Sequence, residues 1–254
     1  KTLLVITDDC RLPSGVGHMT KGPILGSAHK FNYVNLGAGV SHPELGKIMD
    51  LSQSVNDETG LKDASVCVYP YNGYGDYEML QTILGHHKID AIVHITDPRY
   101  FTWLYDMSAE IRQHIPIAYY HIWDDLPVPH FNRPYYESCD LLMGISKQST
   151  NISEMVLGQN KFVKLTDKTP KDAISSTLPK TCYIPHGVSD TIYQPFSRSI
   201  GIVQEMRKRL FKDADPKFVL LHNNRNMHRK MQSDVIVAYK MFCELLEPEE
   251  LEDT

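Results

Sequence analysis

The chain has 254 residues, of which 42% are hydrophobic and 22% charged, and a formal net charge of −5 at pH 7. That length allows one large or two ordinary domains, and the composition is that of a globular protein rather than a disordered or fibrous one. The negative balance argues against a surface devoted as a whole to nucleic acid.

Reading from the N-terminus, Thr2–Thr7 is a first strand, and a glycine-bearing loop (Asp8 to Gly17) leads into a helix at His18–Lys30. A strand at Asn32–Leu36 and another at Ser65–Tyr69 follow, the latter running into a tyrosine–glycine loop and a helix at Asp76–His86. Next come a strand at Ile89–Ile95, a helix at Arg99–Gln113, a strand at Ile115–His121, a strand at Leu141–Ile145 and a helix at Lys147–Val156. The stretch from Gln159 to Lys180 is polar and reads as a mobile insertion before a strand at Thr181–Ile184. Beyond an aperiodic connector lie a helix at Ile200–Phe211, a buried strand at Lys217–His222 and a helix at Arg229–Leu246.

Strands alternating with helices of this length mean βαβ units and a parallel sheet, so the fold class is α/β with a Rossmann-like sheet flanked by helices. A boundary near residues 190–200 gives an N-terminal domain over 1–195. The remainder, 196–254, is too short to bury a core alone and reads as a linker and the beginning of a second Rossmann-like domain, incomplete in this sequence. Ser197 to Phe242 holds ten Lys and Arg against four Asp and Glu, while the tail from Glu244 is acidic.

The five cysteines, Cys10, Cys67, Cys139, Cys182 and Cys243, stand far apart with no CxxC pair. That spacing offers neither a zinc ribbon nor a redox dithiol, and an odd, dispersed set fits reduced thiols in a cytoplasmic setting. No apolar run approaches the roughly 18 residues of a membrane span, and the first residues read as a strand rather than a signal peptide.

Polar residues gather where strands end. After the first strand, Gly15 and Gly17 let the backbone approach a ligand at a helix N-terminus, although a tight turn without a ligand reads the same way. A dinucleotide fold would want a third glycine where Thr20 stands and an acid after the second strand, where Leu36-Gly37-Ala38-Gly39 has none, so NAD binding is disfavoured. Glycines among Tyr69, Tyr71 and Tyr74 suit a loop that presents rings for stacking on a sugar or base, and equally an ordinary packed loop. Asp97-Pro98 is a helix start, with Asp97 as its cap. His121, at a strand tip beside Asp124 and Asp125, suits proton transfer, sugar binding or a satisfied structural role. No His/Cys ligand set lies at metal-binding spacing. After the last expected strand, Arg225 and Lys230 suit a diphosphate, Arg as a planar fork and Lys as a mobile charge; a solvated basic turn reads the same way.

The run Ile184-Pro185-His186-Gly187-Val188, with Tyr193-x-Pro195 beyond it, resembles the interdomain signature of retaining glycosyltransferases of the GT-B fold, family-four type. Gly15-Val16-Gly17, His121, Ser146 and the Arg225/Lys230 pair resemble, in order, further motifs of that family. The resemblance implies transfer of a sugar from a nucleotide-sugar donor to an acceptor hydroxyl with retention of configuration, with no metal and no cofactor besides the donor. It implies His121 against the transferred sugar with Asp124 orienting it. Arg225 and Lys230 would neutralise the leaving diphosphate, and Gly15, Val16, Gly17, His186 and Gly187 would lie on the donor side. The acceptor belongs among His18, Tyr71, Tyr74, Asp97 and Arg99. Sugar, lipid, protein and modified nucleic-acid acceptors all fit, and a non-catalytic binder of nucleotides or sugar phosphates is the alternative. The family's acidic donor motif, a Glu followed by a second Glu, has no good match beyond Lys230.

Overall fold

A computed structural model describes residues 1–40, 43–159, 179–188, 190, 193–214, 216–224 and 226–252. The chain divides into two compact units, Lys1–Gly187 and Val188–Thr254. The break falls directly after the Ile184–Gly187 run.

The first unit begins with β1 (Thr2–Asp8), in which Leu4, Val5 and Ile6 are all buried. A strand covered on both faces reads as a continuous apolar run, and alternate residues go to opposite sides. Leu4 and Ile6 accordingly enter one core cluster and Val5 the other. Helix α1 (Gly15–Ser27) starts at Ser14, whose extended backbone lets its hydroxyl accept from the Gly17 N–H at 3.0 Å. β2 (Asn32–Val40) pairs in parallel with β1 from Thr2↔Asn32 onward.

A two-residue strand, β3 (Met49–Asp50), and helix α2 (Ser52–Thr59) come next. β3 is the antiparallel edge partner of β4 (Val66–Asn72). Helix α3 (Tyr77–His86) is capped by Asp76, which accepts from the Met79 N–H at 2.8 Å. β5 (Ala91–Ile95) is followed by a 3-10 turn at Pro98–Tyr100 and two short helices, α4 (Thr102–Asp106) and α5 (Ser108–Ile111).

β6 (Ile117–His121), α6 (Arg133–Glu137), β7 (Leu141–Gly144), α7 (Lys147–Leu157) and β8 (Lys180–Tyr183) complete the unit. Ser146 caps α7 through the Ser149 N–H at 3.0 Å, and Gly158 ends it at φ +71°. The eight strands lie in the order β3-β4-β2-β1-β5-β6-β7-β8, parallel throughout except for β3. The unit is thus a Rossmann-like α/β sheet flanked by helices.

Seven expected strands are present. The single long helix expected at Arg99–Gln113 is broken instead. Phe101 leaves the helical region (φ −120°, ψ 34°) as its side chain enters the core at 0% exposure, and Met107 breaks the run again. Helices α2 and α6 and the edge strand β3 were not expected. The polar stretch expected as an insertion lies almost wholly outside the described residues.

The second unit contains α8 (Gly201–Phe211), α9 (Gln232–Glu244) and α10 (Pro248–Glu252). The buried strand expected at Lys217–His222 is not there. Phe218, Val219, Leu220 and Leu221 are 44–87% exposed, and no described residue pairs with them in a ladder. A strand needs a hydrogen-bonded neighbour and a covered face, and this apolar run has neither. No described residue of Val188–Thr254 is buried. Among the described residues, no helix is long and apolar enough to cross a membrane.

Candidate functional site

Ligands of open α/β sheets bind outside the carboxyl ends of the strands, where the strand order reverses. Here that place is β1/β5: β2 and β4 lie on one side of β1, and β5 to β8 on the other. The loops that diverge there begin at Asp8 and at Thr96.

The first loop is tightly built. Asp9 is buried and accepts from Arg11, from its backbone N–H at 2.8 Å and from its guanidinium at 2.7–3.1 Å. Arg11 also reaches Glu44 at 2.8 Å, so its charge is already matched. Burial pushes the Cys10 thiol up to about 12, which removes it as a nucleophile at neutral pH. Burial also raises the Asp8 carboxyl at the end of β1. Of the two glycines expected to matter, only Gly17 is sterically required, because a Cβ there would stand 2.3 Å from the Leu12 carbonyl oxygen. Gly15 has open space around it. The Gly17 N–H is taken by Ser14, whereas the N–H groups of Gly15 and Val16 belong to the first helical turn, which has no intrahelical acceptors. His18 is exposed on that turn.

The tyrosine loop is packed more than presented. Tyr71 donates to the Asp76 cap carboxylate. Tyr74 is held through its carbonyl by Trp103 Nε1–H at 3.1 Å, and its ring stacks on Tyr100 at 4.5 Å between centroids. Gly73 and Gly75, at φ +79° and +81°, supply the turn.

At the end of β5, Thr96 sits at φ +96°, a region a β-branched residue avoids. Its carbonyl accepts from the Tyr119 hydroxyl at 2.8 Å. Asp97 caps the following turn, as expected, by accepting from the Arg99 N–H at 3.0 Å, and it also binds the Arg99 guanidinium at 2.5–3.1 Å. Asp97 and Arg99 are therefore each other's partners.

At the end of β6, His121 is fully buried, and neither ring nitrogen has a hydrogen bond. Burial pulls its pKa down to about 4, so the ring is a neutral imidazole with one donor and one acceptor unused. Its ring lies 5.4 Å from that of Tyr136 and 5.7 Å from that of Tyr119. Both polar atoms of the Asn132 amide and the Tyr136 hydroxyl are likewise buried without a hydrogen bond. Burial pushes the Tyr136 hydroxyl up to about 12, and the neighbouring Asn132 amide, whose approach to it falls short of hydrogen-bond geometry, moderates that rise. Leaving such groups unpaired costs about 1–3 kcal/mol each, and a concentration of them at one strand end calls for an explanation. Next to them, His94 is satisfied on one side by Tyr105, at 2.6 Å from its Nδ1, and burial lowers its pKa to about 3.

Asp124 does not orient His121. The chain has left the strand by then, Asp124 is exposed, and its carbonyl accepts from Gln148 Nε2 at 2.7 Å. His186 stacks on Tyr120 at 5.6 Å, and Gly187 has nothing near its would-be Cβ.

In the second unit, Arg225 lies outside the described residues. Lys230 ends a 3-10 turn at His228–Lys230, and Met231 follows at φ +50°. The expected setting of this lysine, beyond the tip of a buried strand, is not met, because no strand precedes it. Sequence reading missed Thr96, Tyr119, Asn132 and Tyr136. Pro134 near the start of α6 was a legible helix signal; the orphaned amide and hydroxyl had none.

No family model matches the chain, and no curated protein matches it in sequence. Among the described residues, no group of three or more His, Cys, Asp or Glu is arranged to hold a metal ion.

Proposed function

We propose that the chain is a glycosyltransferase that moves a sugar from a nucleotide-sugar donor to an acceptor hydroxyl with retention of configuration. The observation that carries the reading is the buried imidazole of His121, neither of whose nitrogens has a hydrogen bond, with the Tyr136 ring 5.4 Å away, at the carboxyl end of a strand near the sheet's switch point. A neutral imidazole with both nitrogens unused suits a sugar hydroxyl, which both donates and accepts. The resemblance to retaining GT-B transferases supports the same role.

The reaction breaks the bond from the anomeric carbon to the diphosphate and forms one to the acceptor oxygen on the same face. The acceptor proton leaves with the diphosphate. Catalysis then consists of stabilising charge on the departing group at a preorganised site. In this reading the first-turn N–H groups of Gly15 and Val16 supply dipoles within the first unit, the resemblance assigns the positive charge to Arg225 and Lys230 of the second, and no metal is needed. The second unit acts as the beginning of the donor-binding domain.

Release of nucleoside diphosphate from a panel of UDP-, GDP- and ADP-sugars tests the reading. Removing Lys230 or Arg225 is expected to cost about 2–4 kcal/mol of transition-state stabilisation. Wild-type turnover by His121→Ala, Arg225→Ala and Lys230→Ala would defeat the assignment. Binding of donors without turnover would leave a non-catalytic nucleotide-sugar binder. A donor at 100 times its Kd adds about 2.7 kcal/mol to stability, visible as a thermal shift.

A further inference from the structure

Beyond the buried histidine, the loops after β4, β5 and β6 carry two aromatic pairs, Tyr74 with Tyr100 and Trp123 with Phe131, joined through Arg99. Tyr74 and Tyr100 stack at 4.5 Å with planes 15° apart, and Tyr100 is 55% exposed, so one face of its ring is covered and the other is open. The neighbouring Arg99 guanidinium lies 5.3 Å over the Trp123 ring, and Phe131 packs edge-on to Trp123 at 5.4 Å while remaining 59% exposed. Leu126, 58% exposed, follows in the same loop.

Each pair has a supporting contact. Phe101, at 0% exposure, supports Tyr74 edge-on at 5.4 Å, and Trp123 Nε1–H donates to the Asp125 carbonyl at 3.1 Å. Single exposed apolar residues need no explanation, but a contiguous set does.

The charge around the rings selects the ligand. Arg99 is matched by Asp97, and Arg133, two residues beyond Phe131 along the chain, by Glu137 at 2.7 Å. Asp124 and Asp125, both exposed, follow Trp123 along the chain, and one Asp125 carboxylate oxygen accepts from the Leu126 N–H at 2.9 Å. A phosphate backbone needs uncompensated cations, and this surface offers carboxylates instead. Open ring faces with flanking carboxylates match the apolar faces and hydroxyl donors of pyranose rings. We infer that the Tyr100–Trp123–Phe131 rim binds a neutral saccharide chain. Its role as the acceptor side rests on the sugar-transfer reading above; saccharide binding itself does not.

The protein contains two tryptophans: Trp123 lies in the rim and Trp103 donates to the Tyr74 carbonyl behind it, so a change in emission reports on this region. The full chain is titrated with maltoheptaose, cellohexaose and chitohexaose, and with the oligonucleotide dT20 as a polyanionic control, at 50 and 500 mM salt. At least one oligosaccharide is expected to shift tryptophan emission with a Kd unchanged by salt. Tyr100→Ala and Phe131→Ala should each weaken it at least tenfold, with Tm preserved because both side chains are exposed. Failure of all three oligosaccharides, binding that ignores both substitutions, or tighter, salt-sensitive binding of dT20 overturns the inference. Donor hydrolysis in water, without any acceptor, is measured in parallel. Saccharide binding with no nucleoside diphosphate released from any donor, either in water or with the oligosaccharides as acceptors, removes sugar transfer and keeps the rim, and release without saccharide binding removes the rim alone.

Discussion

The hydroxyl of Tyr119 donates to the carbonyl of Thr96 across 2.8 Å, and it does so to a β-branched residue held at φ +96°. Such a backbone costs about 1–3 kcal/mol and persists only where its surroundings over-determine it. Thr96→Gly is therefore expected to raise stability by about 1 kcal/mol, or a few degrees in Tm. Tyr119→Phe should lower stability by about 1–3 kcal/mol because it leaves that carbonyl unpaired. If Thr96→Gly also lowers donor turnover, the strained turn belongs to the working site. A Tm below wild type for Thr96→Gly would show that the turn is not strained.

Acid should destabilise the fold before the carboxylates titrate. His94 and His121 stay neutral in the folded protein down to about pH 3 and 4 respectively, because burial penalises their charged forms. In the unfolded chain each takes up a proton near pH 6.5. Between about pH 6.5 and 4 the unfolded state thus binds protons that the folded state refuses, and stability falls as pH falls. The expected loss is about 2 kcal/mol per histidine on going from pH 8 to pH 5. Urea midpoints across that range check it, and His94→Phe should remove part of the slope.

Gly15 and Gly17 should behave oppositely. Gly15→Ala meets open space and should be neutral or slightly stabilising in the first turn of α1. Gly17→Ala would press a Cβ to 2.3 Å from the Leu12 carbonyl and should cost at least about 1–3 kcal/mol. Gly144→Ala belongs with Gly17, since its Cβ would stand 2.4 Å from Thr150 Oγ1. Thermal melts of the three variants decide the matter.

The apolar run before Arg225 gives a further contrast. Leu221 is 87% exposed and Leu4 is at 0%. Leu221→Ala should change stability by less than about 0.5 kcal/mol, whereas Leu4→Ala should cost about 2–5 kcal/mol. Equal losses in chemical denaturation would restore the buried strand that the sequence pattern implied.

The first unit was legible because each buried strand, such as Leu3-Leu4-Val5-Ile6, is a short apolar run with a capping residue nearby. Asp76 and Ser146 stand where the helices expected at Asp76–His86 and Lys147–Val156 start, whereas the cap at Ser14 starts α1 three residues before the expected His18. Phe218 to Leu221 shows the same pattern without the fold, because composition cannot say whether a strand finds a partner. The site was legible only where a side chain stood at a strand tip. His121 could be singled out by position, but Tyr136 comes from a short helix roughly 15 residues further along the chain, and only packing brings its ring to 5.4 Å from that of His121. The open face of Tyr100 likewise depends on which of its sides Tyr74 covers.

The lack of any buried residue among those described in Val188–Thr254 has a calorimetric consequence. Unfolding heat comes from disrupted packing, at about 0.7 kcal/mol per residue near 60 °C. A melt of this chain should therefore absorb roughly 130 kcal/mol, the share of Lys1–Gly187, rather than the roughly 180 kcal/mol its full length would give. Deuterium should fill the amides of α8 and α9 long before it reaches those of β1.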